Sequence, residues 1–161
     1  MTVGGVPAGR TTSTSMEALI RRYFDGCNEA DEAKMIACFV PDAVHYFPAG
    51  QWDGAFRGAA EIARRWADAV RRLGSVWTVD EIITDPSSGR AVIEWTHFKT
   101  YENRILRGDE WYRFDLETGL ISEIRAYYAS PQDSSRSTLE LGGFDYAGRG
   151  YPLSSPIRRQ G

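Results

Sequence analysis

From residue 76 onward the chain reads as four β segments joined by short turns, and this run constrains the fold more than any other feature. Val76 to Thr84 stops at Asp85-Pro86-Ser87-Ser88-Gly89, and Ala91 to Tyr101 stops at Glu102-Asn103. Ile105 to Phe114 stops at Asp115-Leu116-Glu117-Thr118-Gly119, and Leu120 to Ala129 follows. Turn formers cluster in the breaks, while β-branched and aromatic residues dominate between them. Connections this short join antiparallel neighbours, because a parallel return needs a longer crossover.

The first half is helical by spacing. Leu19, Ile20, Tyr23, Phe24 and Cys27 share one face behind Ser15, which is placed to cap the helix. Ala18, three residues after Ser15, leaves that cap without a capping box. Asn28 to Asp31 is a break, with Asp31 as the next N-cap. A second short helix carries Met35, Ile36, Cys38 and Phe39, and Pro41-Asp42 ends it. Ala43 to Phe47 reads as a strand stopped at Pro48, and Gln51 to Gly58 as a second short strand. Ala59 to Leu73 is the clearest helix, with Ile62, Trp66, Val70 and Leu73 on one stripe and Gly74 as its stop. Arg64, Arg65, Arg71 and Arg72 fall off that stripe and are interrupted by Glu61 and Asp68, the pattern of a solvated face. The order predicts an α+β domain, with three N-terminal-half helices packed on one face of a curved antiparallel sheet.

Composition narrows the function. With 161 residues, 42% hydrophobic and 25% charged, the chain is sized and composed for one globular domain. Nineteen Lys+Arg against 22 Asp+Glu give a net charge of −3, so nucleic acid is not an expected partner. No apolar run approaches the roughly 18–20 residues that span a bilayer, so no membrane is expected either. Residues 1–14 read as a flexible leader without the apolar core of a secretory signal. Cys27 and Cys38 form neither a disulfide framework nor a zinc pattern, and a cytoplasmic protein with buried thiols is expected. The domain is expected over residues 15–132. The Gly- and Pro-rich tail, 133–161, holds Phe144, Tyr146 and Tyr151 and is expected to act as a pocket lid or a dimer arm. No nucleotide, hydrolase or zincin motif occurs, so the economical inference is an acid–base site with no cofactor and no metal.

Two stretches carry a family resemblance. Arg22-Tyr23, the break from Gly26 to Asp31 and Phe39-Val40-Pro41-Asp42-Ala43-Val44 form the first. Glu110-Trp111-Tyr112-Arg113-Phe114, followed by Leu120 to Tyr128, forms the second. Over residues 16–132 the chain resembles the nuclear transport factor 2-like superfamily, which includes ketosteroid isomerase, scytalone dehydratase and the SnoaL-like polyketide cyclases. The resemblance implies a cystatin-like, cone-shaped domain whose mouth accepts a small hydrophobic molecule, and a homodimer. Laid against ketosteroid isomerase, Tyr23 takes the place of the oxyanion-hole tyrosine and Glu110 that of its partner, a neutral acid that donates a hydrogen bond. Phe47 stands where that family has its general-base aspartate, so the isomerase route is not supported. SnoaL-like cyclases often carry an acid on the last strand, where this chain has Ala126 and Tyr128.

The remaining candidates come from strand parity. His45 precedes Phe47 by two residues, so both point to one face. There an imidazole would serve as general base, the alternative being a hydrogen-bonded sheet histidine with no catalytic role. His97 lies in a segment bulky on both parities. Pointing inward with Trp95, it gives a site with two histidines and a tyrosine, similar to scytalone dehydratase; pointing outward, it is a surface or dimer contact. Asp109 and Glu110 face opposite ways, and the resemblance puts Glu110 inside. Phe47, Trp52, Trp95, Trp111 and Tyr128 are expected to wall the cavity and bind substrate. The expected function is a cofactor-free dehydratase, isomerase or cyclase acting on a small hydrophobic, oxygenated, cyclic substrate. A non-catalytic binding or scaffold module of the same fold is the alternative.

Overall fold

Thr12 caps the first helix. Its side chain accepts from Ser15 N while the Ser15 side chain accepts from Thr12 N, a reciprocal capping box. Ser15 is therefore the third helical residue and not the cap itself. The structure, a computed structural model, describes residues 11–48, 52, 54–128, 147, 148 and 150–160. Residues 1–10 of the expected leader lie outside the described residues, as do Phe144 and Tyr146, while its last residues, Thr12 to Thr14, cap and begin the first helix.

Among the described residues three helices, α1 (Ser13–Glu29), α2 (Glu32–Ile36) and α3 (Ala59–Leu73), accompany six strands. The strands are β1 (Phe39–Tyr46), β2 (Phe56–Arg57), β3 (Ser75–Asp85), β4 (Arg90–Lys99), β5 (Arg104–Phe114) and β6 (Ile121–Tyr127). They form one sheet in the order β2-β1-β6-β5-β4-β3. From β3 to β6 the chain runs as the expected antiparallel meander.

Three expectations change. The sheet is mixed, because β1 pairs parallel with β6. These strands are far apart in sequence, and no local pattern announces a parallel pair between them. The second helix stops at Ile36, and Phe39 already belongs to β1. Pro41 is accommodated inside that strand where the register with β6 shifts, between Phe39 and Val44, a place where a missing N–H is tolerated. Of the short strand expected over Gln51 to Gly58, the described residues show Phe56–Arg57 as strand, while Gln51 and Asp53 lie outside the described residues.

The core lies between the helices and the inner sheet face. Met16, Ile20, Met35, Ile62, Tyr112, Ile121 and Ile124 are all fully buried there. The arginines of α3 form the solvated face the sequence indicates, paired as Arg64 and Arg65 with Glu61 and Arg72 with Asp68. Gly74 ends α3 at φ 62°, and a Cβ there would lie 2.3 Å from Thr100 Oγ1, so the close return of the β4–β5 hairpin requires glycine. No helix among the described residues is long and apolar enough to cross a membrane.

Candidate active site

Strand parity decides which side chains enter the cavity between α1, α3 and the sheet. On β5, Leu106, Glu110 and Tyr112 point inward and Arg107, Asp109 and Trp111 outward. On β4, Trp95 and His97 point inward, which settles the direction that sequence left open. The cavity holds about 50 Å³ and is lined mainly by rings: Tyr23, Phe47, Trp52, Trp66, Trp77, Trp95 and Tyr128, with Glu110, His97 and Lys99 as its charged or titratable groups beside the Cys27 thiol. That volume suits a few waters, whereas pockets for drug-sized ligands start near ~300 Å³. A ligand of that size would have to displace wall side chains on entry.

Glu110 is the most constrained of these groups. The Tyr112 hydroxyl donates to its Oε2 at 2.5 Å, and His45 Nε2 stands 3.5 Å from its Oε1. Register explains the grouping: Glu110 pairs with Ala126 and Tyr112 with Ile124 across β5 and β6, and His45 pairs with Ile124 across β1 and β6. The small Ala126 beside Glu110 leaves the carboxyl room to reach toward β1.

His45 shares the inward face with Phe47, as expected, and the rings stack with centroids 4.3 Å apart. It does not line the cavity, however. The ring is fully buried behind Phe47, Trp66 and Glu110, and among the described residues neither nitrogen has a hydrogen-bond partner. A substrate in the cavity would meet Glu110, and His45 only through it.

Tyr23 lines the cavity from α1, edge-on to Phe39 with centroids 4.9 Å apart. Burial pushes its pKa well above that of a free tyrosine, and the nearby Cys27 and Glu110 add to this, so the hydroxyl stays protonated and able to donate. The Trp66 indole acts in the opposite sense but falls short of hydrogen-bond geometry. Tyr128 packs edge-on to Trp95 at 5.5 Å, and burial pushes its pKa up to about 12.

His97 differs from His45. Its Nε2 lies 2.8 Å from Ser75 Oγ, and its ring stacks on Trp77 at 4.5 Å and 19°. Burial, helped by Lys99, lowers its pKa to about 3, so the imidazole is neutral at ordinary pH. It can share a hydrogen bond with a ligand but is a weak proton acceptor.

Trp111 is a correction. It alternates with Glu110 and Tyr112, so it lies on the outer sheet face, 42% exposed beside Asp109, Arg125 and Tyr127. It does not wall the cavity. Sequence reasoning also missed several lining or supporting residues, Tyr112, Trp66 and Trp77 among them. Tyr112 was available from parity, two residues after Glu110. Trp66 was legible as a core residue on the α3 stripe, but nothing local marks a core tryptophan as a cavity wall. Trp77 follows from the inward parity of β3. Among the described residues no group of three His, Cys, Asp or Glu side chains could hold a metal ion.

A family model described as the SnoaL-like domain matches residues 20–124. A protein of unknown function with a cystatin-like fold from Methylobium petroleophilum is 60% identical, with a TM-score of 0.75, over 94% of this chain and 100% of its own. A putative polyketide cyclase from Sinorhizobium meliloti shares the fold at 19% identity and TM-score 0.58, over 70% of this chain and 98% of its own. An epoxide hydrolase/cyclase-like enzyme of pyran ring formation in the polyether salinomycin does so at 12% identity and TM-score 0.59, over 74% of this chain and 94% of its own. No protein with a curated description matches the chain.

Proposed function

The chain belongs to the SnoaL-like domain family, and from that premise we propose a cofactor-free acid–base enzyme acting on a small apolar, oxygenated, cyclic substrate. The observation that carries the reading is Glu110: a carboxyl on the wall of an aromatic cavity, tethered at one oxygen by Tyr112 and flanked at the other by His45. A buried aromatic wall provides apolar affinity and excludes water, which strengthens any charge interaction inside.

In this reading Glu110 takes a proton from carbon next to a substrate carbonyl. A hydroxyl held protonated by burial, Tyr23 or Tyr128, donates to the oxygen on which charge develops. Glu110 then returns the proton to a second carbon, which isomerises a double bond, or to a departing hydroxyl, which leaves as water. Ring closure is kept as a third outcome because two relatives of the fold are described as a putative polyketide cyclase and an epoxide hydrolase/cyclase-like enzyme. The direct-base role expected of His45 passes to Glu110, and His45 becomes the group that orients Glu110 or shares its proton.

The narrow cavity supports a second reading, a ligand-binding module without turnover. One assay separates the two without knowledge of the natural substrate. 2-Tetralone, an apolar bicyclic ketone, is incubated in D₂O and loss of its α-protons is followed by NMR. Catalysed exchange that falls roughly 10²-fold in Glu110→Gln supports the enzyme. Saturable binding with no exchange above buffer supports the binding module.

A further inference from the structure

Residues 150–160 return to the sheet and meet the cavity's support from outside. Tyr151 donates to the Glu94 carboxylate, Arg107 Nη2 donates to Pro152 O at 2.8 Å, and Tyr101 Oη donates to Gln160 O at 3.1 Å. Arg159 makes the contact with the longest reach. Its Nη2 donates to Asn28 O at 2.6 Å and its Nε to Ser75 O at 3.1 Å.

Both acceptors are carbonyls at the end or edge of an element. Asn28 O is among the last carbonyls of α1, which the helix cannot itself satisfy, and α1 has no basic residue in its last turn. A guanidinium there meets the negative end of the helix dipole. Ser75 opens β3, the edge strand of the sheet. Two residues on, the Asn28 side chain completes the same edge: Nδ2 donates to Trp77 O and Oδ1 accepts from Trp77 N, both at 2.8 Å.

Ser75 and Trp77 are also the two residues that hold His97, one by its hydroxyl at 2.8 Å and the other by a ring stacked at 4.5 Å. We propose that Arg159 is a positioning residue for His97: it clamps the β3 edge to the end of α1, so that Ser75 and Trp77 hold the imidazole at the cavity wall. The C-terminal segment is then part of the site's framework, although it lies on the far side of β3 from the ligand. The proposal takes from the functional reading only that His97 faces the ligand, and its test needs no substrate.

The probe is His97 itself, followed by ¹⁵N NMR of the imidazole in the full-length chain. Among the described residues, the titratable or charged groups that line the cavity with it are Lys99 on β4, Glu110 on β5, Tyr23 and Cys27 on α1, and Tyr128 after β6, while α3 contributes Trp66, Ala69 and Leu73. In the wild type a single tautomer and an acid-shifted titration are expected. Arg159→Ala should loosen the Ser75 contact, mix the tautomers and raise the titration midpoint by about one pH unit or more, as burial is relaxed. Arg159→Lys keeps the charge but loses the two-pronged bond, and should behave like Arg159→Ala. It also serves as the test variant if Arg159→Ala does not fold. Arg158→Ala, at an exposed neighbour, should leave the spectrum unchanged. An unchanged tautomer and midpoint in Arg159→Ala would overturn the proposal. So would an Arg159→Lys protein indistinguishable from wild type, since charge alone would then account for the effect.

Discussion

The Tyr112 hydroxyl lies 2.5 Å from Glu110 Oε2, and the two residues are next-but-one neighbours on the inner face of β5. This contact lets a carboxyl exist inside a cavity walled mainly by aromatic rings. A buried carboxylate without donors is costly, and a hydrogen bond to a charged group contributes about 1.5–3 kcal/mol. Burial raises the Tyr112 pKa, and the Glu110 charge adds to this, so the phenol remains a donor.

Removing that donor should therefore be felt in stability and in chemistry. Tyr112→Phe is expected to destabilise the fold by about 1–3 kcal/mol in urea unfolding, because Glu110 loses its tether while staying buried. In a Glu110→Gln background the same change should cost clearly less. Equal costs in both backgrounds would show that the two side chains are not coupled.

His97 makes a pH prediction of definite sign. Its folded-state pKa is depressed from 6.5 to about 3, so between those values the unfolded chain binds more protons than the folded one. The stability contribution is therefore whole above pH 6.5 and lost progressively as pH falls toward 3. From this group alone, stability should be about 2 kcal/mol lower at pH 5 than at pH 8. Denaturation curves at the two pH values for wild type and His97→Gln isolate it, since the variant should lack this share of the acid sensitivity. Identical pH dependence in the two proteins contradicts the assignment.

Gly108 sets the fit of the wall on β5. A Cβ there would lie 2.6 Å from Trp95 Cζ2, 2.8 Å from Tyr127 O and 3.0 Å from Tyr128 Cβ. Gly108→Ala should push these rings aside at a cost of about 1–3 kcal/mol, visible as a lower melting temperature. It should also weaken 2-tetralone binding measured by tryptophan quenching. Wild-type melting and binding would mean that the wall yields freely.

Local pattern carried the elements and parity carried much of the site. Ala59–Leu73 is the helix its stripe of apolar residues indicates, and the turns after Thr84, Tyr101 and Phe114 mark the meander to within a few residues. The shared face of His45 and Phe47 follows from a period of two, whereas the choice of Glu110 over Asp109 as the inward acid came from the family resemblance. Two things do not follow from any local rule. The β1–β6 pairing depends on the whole topology, and with it the approach of His45 to Glu110. Burial depth also escapes parity: His45 and His97 both face inward, yet only His97 lines the cavity. Trp111 shows the opposite error, a large ring read as cavity wall when the neighbouring Glu110 had already taken the inward position.

That position gives a negative control. Trp111→Ala, on the outer face, should leave both 2-tetralone binding and α-proton exchange at wild-type levels. Trp95→Ala, on the inner face, should weaken binding at least severalfold. A cavity function that responds to Trp111 would require a different placement of β5.

The most direct test of the account is chemical rescue at Glu110. Glu110→Ala opens space beside Tyr112 and removes the carboxyl, so α-proton exchange of 2-tetralone should fall by roughly 10²-fold or more. Added formate should then restore part of that rate in a saturable manner, while His45→Ala, which leaves the carboxyl in place, should lose less and not respond to formate. Exchange that survives in Glu110→Ala, or that depends on His45 and not on Glu110, would contradict the claim that this carboxyl moves the proton.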